Sequence, residues 1–141
     1  MNEANKAAVC RFYEECLNRH NAEIYPDFYA EVVYHAPAIG DLRGEAHRQR
    51  LITLFRGFPD ACWTIKDQIS EGDKVATRWV LAGTHRGMFK GIPATGKPLH
   101  YSGVCIDRFA DGKIVEEWEE WDTLGVLHQL GALGPANGPA R

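Results

Sequence analysis

An aspartate at the end of a strand, beside a tryptophan, has the makings of a proton carrier. Asp122 ends the run Asp111-Gly112-Lys113-Ile114-Val115-Glu116-Glu117-Trp118-Glu119-Glu120-Trp121-Asp122. Strand alternation puts Ile114, Glu116, Trp118, Glu120 and Asp122 on one face, and Val115, Glu117, Glu119 and Trp121 on the other. Asp122 then shares its side with Trp118. A carboxyl held against indole is desolvated, which raises its pKa and fits it to exchange protons near neutral pH. A second reading competes. Residues 123–130 have helical character, so Asp122 also fits an N-cap accepting backbone N–H bonds, and the helix terminus would then lower its pKa.

His35, in Tyr34-His35-Ala36-Pro37, is the second candidate. It could orient a carbonyl or share a proton with Asp122, or serve as a structural histidine at a strand end. His85 lies at a strand end before a glycine turn, a place that suits loop-fixing hydrogen bonds as well as catalysis. Arg78 could anchor an oxyanion or carboxylate, or form a structural pair with Glu116 on a neighbouring strand. His20, His47 and His128 read as surface residues.

The order and wording of three segments resemble the SnoaL-like polyketide cyclase (ester cyclase) family: Gly83-Thr84-His85-Arg86-Gly87-Met88-Phe89-Lys90-Gly91-Ile92-Pro93-Ala94-Thr95-Gly96-Lys97, the Asp111–Asp122 run, and Leu127-His128-Gln129-Leu130-Gly131. The resemblance implies the cone-shaped α+β fold of nuclear transport factor 2, with helices packed on a curved antiparallel sheet around an interior pocket. It implies a cofactor-free enzyme that deprotonates a carbon beside carbonyls and closes a ring by intramolecular aldol addition. Anchored on Leu130-Gly131, the family's acid/base aspartate falls on Asp122, with His35 as pocket-lining partner. The founding cyclases also carry a pocket histidine near Val104-Cys105-Ile106-Asp107, and this chain has none there. Other expectations on the same scaffold are a non-catalytic binder, or an isomerase or epoxide hydrolase in which Arg78 and Asp122 supply two members of an Asp–Arg–Asp set.

These residues need elements to position them. Residues 3–18 repeat apolar positions at helical spacing, and a shorter helix is expected near 22–29. Val32 to His35 is a short strand before the Pro37 break, and residues 45–57 form a third helix. After Asp60 the period becomes two: Trp63, Ile65 and Ile69 alternate with Thr64, Lys66 and Gln68. Long strands follow over 74–84, 99–109 and 114–121, with a tight turn at Ala110-Asp111-Gly112. Helices first and a meander afterwards is an α+β pattern. Tyr13, Leu17, Phe58, Trp63, Tyr101 and Trp118, with Arg78 and His85, are the expected pocket lining, which suits a small hydrophobic or aromatic ligand.

The 141 residues fit one domain over 1–131 and a loose tail over 132–141. Hydrophobic content of 45% and charged content of 25% are globular averages. A net charge of −3 with no basic stripe argues against a nucleic-acid partner. No apolar run approaches a membrane span and the N-terminus lacks signal-peptide character, so a cytoplasmic protein is expected. Cys10, Cys16, Cys62 and Cys105 lack ligand or CxxC spacing and read as free thiols. G-x-S-x-G, P-loop, G-x-G-x-x-G and HExxH motifs are missing, so neither cofactor nor metal is expected. A homodimer is expected because Val75, Trp79 and Leu81 occupy one face of their strand and Ala76, Val80 and Ala82 the other. The helices can cover only one of these apolar faces.

Overall fold

The computed structural model describes residues 2–133. The expected tail over 132–141 falls almost wholly outside them. Helix α1 (Asn2–Arg11) widens into a π-helical stretch, Phe12–Leu17, closed by Asn18 N–H donating to Tyr13 O at 2.8 Å. The wider turn brings two adjacent pairs, Phe12 with Tyr13 and Cys16 with Leu17, into the core together. The helix expected near 22–29 is a short 3-10 turn, Ala22–Asp27, with Pro26 inside it. Proline lacks the N–H that a longer helix would need, and Tyr29 already begins the first strand.

Six strands form one sheet in the order β2-β1-β6-β5-β4-β3. They are β1 (Tyr29–His35), β2 (Leu42–Arg43), β3 (Cys62–Glu71), β4 (Lys74–Thr84), β5 (Pro98–Ala110) and β6 (Lys113–Trp121). The meander from β3 to β6 is antiparallel as expected, while β1 joins β6 in parallel. Helix α2 (Glu45–Gly57) and the N-terminal helix cover the inner face, and α3 (Thr123–Gln129) closes the chain. Among the described residues no helix is long and apolar enough to cross a membrane.

Burial along β5 alternates without a break. Leu99, Tyr101, Gly103, Cys105, Asp107 and Phe109 face inward, while Val104 and Ile106 face out. Two bulges change the expected register elsewhere. One between Ile65 and Asp67 turns Gln68 inward, where it meets Cys10 Sγ and Thr77 Oγ1, and leaves Ile69 72% exposed. The other, opposite Arg108 and Phe109, lets Ile114 point inward although Glu116 and Trp118 do not.

Candidate functional site

A cavity of about 30 Å³ lies between the N-terminal helix, α2 and the inner face of β4, β5 and β6. That is room for only a molecule or two of water. Three carboxyls line it, namely Asp107 from β5 and Glu117 and Glu119 from β6. Each arrives there by strand alternation: Asp107 sits two residues after inward Cys105, and Glu117, Glu119 and Trp121 form the inward row of β6.

The deep end is dense in acid. Asp107 is 2% exposed and Glu117 5%, and Cys105 Sγ and an oxygen of each carboxyl lie within 4.8 Å of one another. Two carboxylates so close in a dry site cannot both ionise cheaply, so the pair holds a proton. Burial pushes Asp107 up to about 7, with the negative field of Glu119 adding to the shift. Burial raises Glu117 well above its usual range, and Asp107 raises it further. Tyr29 donates to Glu117 Oε1 at 2.7 Å, while Asp107 Oδ1 has no hydrogen-bond partner among the described residues. His47, expected at the surface, is 3% exposed; burial drives its pKa down to about 3, so it is neutral. Its Nδ1 is hydrogen-bonded with the Tyr25 hydroxyl at 2.7 Å, and because the ring is neutral its 3.9 Å approach to Glu117 is no ion pair.

Toward the rim the lining is half-buried: Glu119, Arg50 and Trp121. The Tyr34 hydroxyl donates to Glu119 Oε1 at 2.6 Å. The Trp79 indole N–H stands near the same carboxylate without closing a hydrogen bond. Burial raises the Glu119 pKa, while Arg50, Tyr34 and Trp79 oppose the rise. Gly103, paired with Trp79 across β4 and β5, makes this arrangement possible. A Cβ there would come within 2.8 Å of Trp79 Cε2 and 2.6 Å of the Glu120 carbonyl.

The expected catalytic pair lies elsewhere. Asp122 is exposed and caps α3, its Oδ1 accepting from Gly125 N–H at 2.9 Å. The cap reading describes its place, because the strand has ended and the carboxyl has turned back onto the helix. His35 lies on the outer side, with Nδ1 3.1 Å from Asp41 and Nε2 2.8 Å from Glu116, stacked on Trp118. The two acids raise its pKa. It does not line the cavity.

Of the expected lining, Tyr13, Leu17, Trp63 and Tyr101 are in place. Trp118 is on the opposite face of β6, beside Val104 and Ile106. Arg78 is also outward and binds Asp67 at 2.6 Å, not Glu116, which pairs instead with Arg108. Phe58 packs on His85 and Phe89 away from the cavity. His85 does not line the cavity; it is fully buried, with its Nδ1 2.9 Å from Thr95 Oγ1, a bond that fixes the loop.

Asp107, Glu117, Glu119, Arg50 and His47 line the cavity and are not among the residues expected there. A signal existed for four of them. Asp107 is the acid in an otherwise apolar inward row, Glu117 and Glu119 share Trp121's register, and His47 shares the apolar stripe of Leu51, Leu54 and Phe55.

A family model described as SnoaL-like polyketide cyclase matches residues 7–130. The aklanonic acid methyl ester cyclase DnrD of Streptomyces peucetius is 36% identical over 64 residues, 45% of this chain and 44% of that relative's length. The solved structure of IdmH from Streptomyces antibioticus superposes with a TM-score of 0.79 at 31% identity, covering 90% of this chain and 98% of that one. AclR from Streptomyces galilaeus, a candidate hydroxylase, gives 0.84 at 26% identity, covering 94% and 98%.

Proposed function

The chain belongs to the SnoaL-like polyketide cyclase family, and from that premise we propose that it closes a ring on a small carbonyl compound by acid/base catalysis without a cofactor. One observation carries the reading. A carboxylate with a raised pKa, Glu119, stands on the wall of an aromatic-lined cavity with only Oε1 held by Tyr34. Oε2 is then the oxygen for a substrate proton.

Glu119 accepts the proton from a carbon flanked by carbonyls, and the C–H electron pair passes to the enolate. The enolate carbon adds to a carbonyl of the same molecule, forming the new C–C bond. The resulting alkoxide takes the proton back from Glu119. No net charge is consumed, and a positioned group of this kind contributes about 10²- to 10⁴-fold. The relative named for aklanonic acid methyl ester points to a methyl ester as the substrate class. Such a ligand exceeds the resting cavity, so the half-buried side chains at its rim must move aside for it.

The test is α-carbon deuterium exchange of a cyclic β-keto ester. Glu119→Gln should lower the catalysed rate by about 10²-fold or more while the fold persists. Exchange by that variant at the parental rate would remove Glu119 from the reaction; a parent that accelerates no exchange would leave a ligand-binding protein of this fold.

The same reading extends to assembly and place. The outer sheet face exposes Ile69, Val104 (43%) and Ile106 (38%) around the half-buried Trp118, a patch suited to a twin subunit. Light scattering should give the dimer mass; a monomer mass at micromolar concentration would end that proposal. Four free cysteines fit a reducing cytoplasm.

A further inference from the structure

Arg50 lines the cavity from α2, and among the described residues no other lysine or arginine does so. Arg48 binds Glu45, Arg78 binds Asp67 and Arg108 binds Glu116. Arg50 makes neither hydrogen bond nor ion pair among the described residues, although Glu119 lines the same cavity. Its guanidinium carbon sits 4.6 Å over the Trp121 ring and 6.0 Å from that of Tyr34. A guanidinium lying on an indole is held by its face, and its N–H edge stays available.

We propose that Arg50 is the anion-binding residue of this cavity, and that the ligand it recognises is a planar, enolate-forming 1,3-dicarbonyl compound. The proposal rests on the acid/base reading above and deepens it by naming the ligand chemistry. Charge movement during the reaction supports the match. Before proton transfer the negative charge is on Glu119; afterwards Glu119 is neutral and the charge lies on the ligand's oxygen. A fixed cation at the cavity rim favours that displacement if the oxygen lies at its edge, and a preorganised donor costs nothing to reorient when the charge develops. The field of Arg50 already spans the site, since it lowers the pKa of Glu119, Tyr34 and Tyr101 together. The deep Asp107–Glu117 pair disfavours an anion at the other end, so a ligand with one ionisable end has one orientation.

The experiment uses two probes of the same ring outline. One is 1,3-indandione, followed as its coloured enolate at pH 8; the other is neutral 1-indanone. Arg50→Met should weaken the enolate by about 10- to 100-fold, the worth of a charge-assisted hydrogen bond, and change 1-indanone by less than about twofold. Arg50→Lys should lie between parent and Met for the enolate. Equal binding of the enolate by parent and Arg50→Met overturns the proposal. So does an equal loss of both probes, which would mean that Arg50 only packs, and so does a parent that binds neither. Glu119→Gln separates the two readings: it should keep enolate binding and lose proton exchange. If it keeps both, the base assignment fails while the Arg50 result stands.

Discussion

Glu116 and Glu117 are neighbours on one strand and behave as different chemical species. Glu116 faces outward, is bound by Arg108 at 3.1 Å and by His35 at 2.8 Å, and its pKa is lowered, with the His35 bond the largest cause. Glu117 faces inward beside Asp107, and burial raises its pKa. The contrast extends to other acids of the two faces. Outer acids such as Asp67 and Glu116 have a basic partner, whereas the inner carboxyls have tyrosine hydroxyls, each other and a distant guanidinium. A two-residue repeat therefore sorts identical side chains into solvated or paired carboxylates on one side and buried carboxyls with raised pKa on the other. Position relative to solvent, more than residue type, makes a carboxyl reactive.

Turnover should show the largest difference between the faces. The loss of about 10²-fold expected for Glu119→Gln has a control one residue away, since Glu120 is exposed on the outer face. Glu120→Gln should leave exchange unchanged. A loss at Glu120 that equals the loss at Glu119 would dissolve the distinction between the two rows.

Stability against pH gives the next contrast, and its sign differs between faces. The Asp107 pKa is raised in the folded state to about 7. Its favourable contribution is then present below its unfolded value near 3.9 and is lost as pH rises through about 7. Asp107→Asn abolishes that loss, so melting temperatures should show the variant gaining on the parent between about pH 4 and 7, then running parallel. The gain should be on the order of 1–4 kcal/mol, three pKa units implying roughly 4, and Glu117 adds to it by relaxing when its neighbour loses charge. His47, neutral in the fold, works in the opposite sense as pH falls below about 6.5, but it does so in both proteins and cancels in the difference. Glu116→Gln should show the reverse trend with a smaller amplitude, because a lowered carboxyl pKa stabilises above its unfolded value and that benefit fades as pH falls. Parallel pH profiles for parent and Asp107→Asn would show that the deep pair carries no unusual proton.

The fold was legible because its signals are repetitive. Alternation over 74–84 and 99–109 and the turn at Asp111-Gly112 specify a meander, and three family-like segments agree with it. The site was harder to see because it depends on which of two amphipathic rows faces in. Along 114–121 both rows contain acid and tryptophan, so hydrophobicity alone does not choose between them. A bulge opposite Arg108 and Phe109 also turned Ile114 inward, which made the row of Glu116 and Asp122 look like the buried one. Arg50 gave no local signal at all. Its importance comes from Trp121 and Glu119, some seventy residues away, meeting it in space.

The smallest effect concerns the acid that ends the strand. Asp122 accepts from Gly125 N–H, and a Cβ on Gly125 would lie within 2.7 Å of the Asp122 carboxyl carbon, so the residue and its partner are fitted to capping. Asp122→Ala should cost about 1 kcal/mol, the ordinary worth of an N-cap, and lower the melting temperature accordingly. Turnover per folded molecule should stay at the parental level, because the carboxyl is exposed at the helix end and does not line the cavity. Melting curves and exchange rates taken on the same sample separate the two quantities. A variant that melts like the parent yet loses exchange a hundredfold would return the proton to Asp122 and demote Glu119 to a lining residue. A cap-sized loss of stability with full exchange would leave the acid at the helix end structural and the acid three residues earlier reactive.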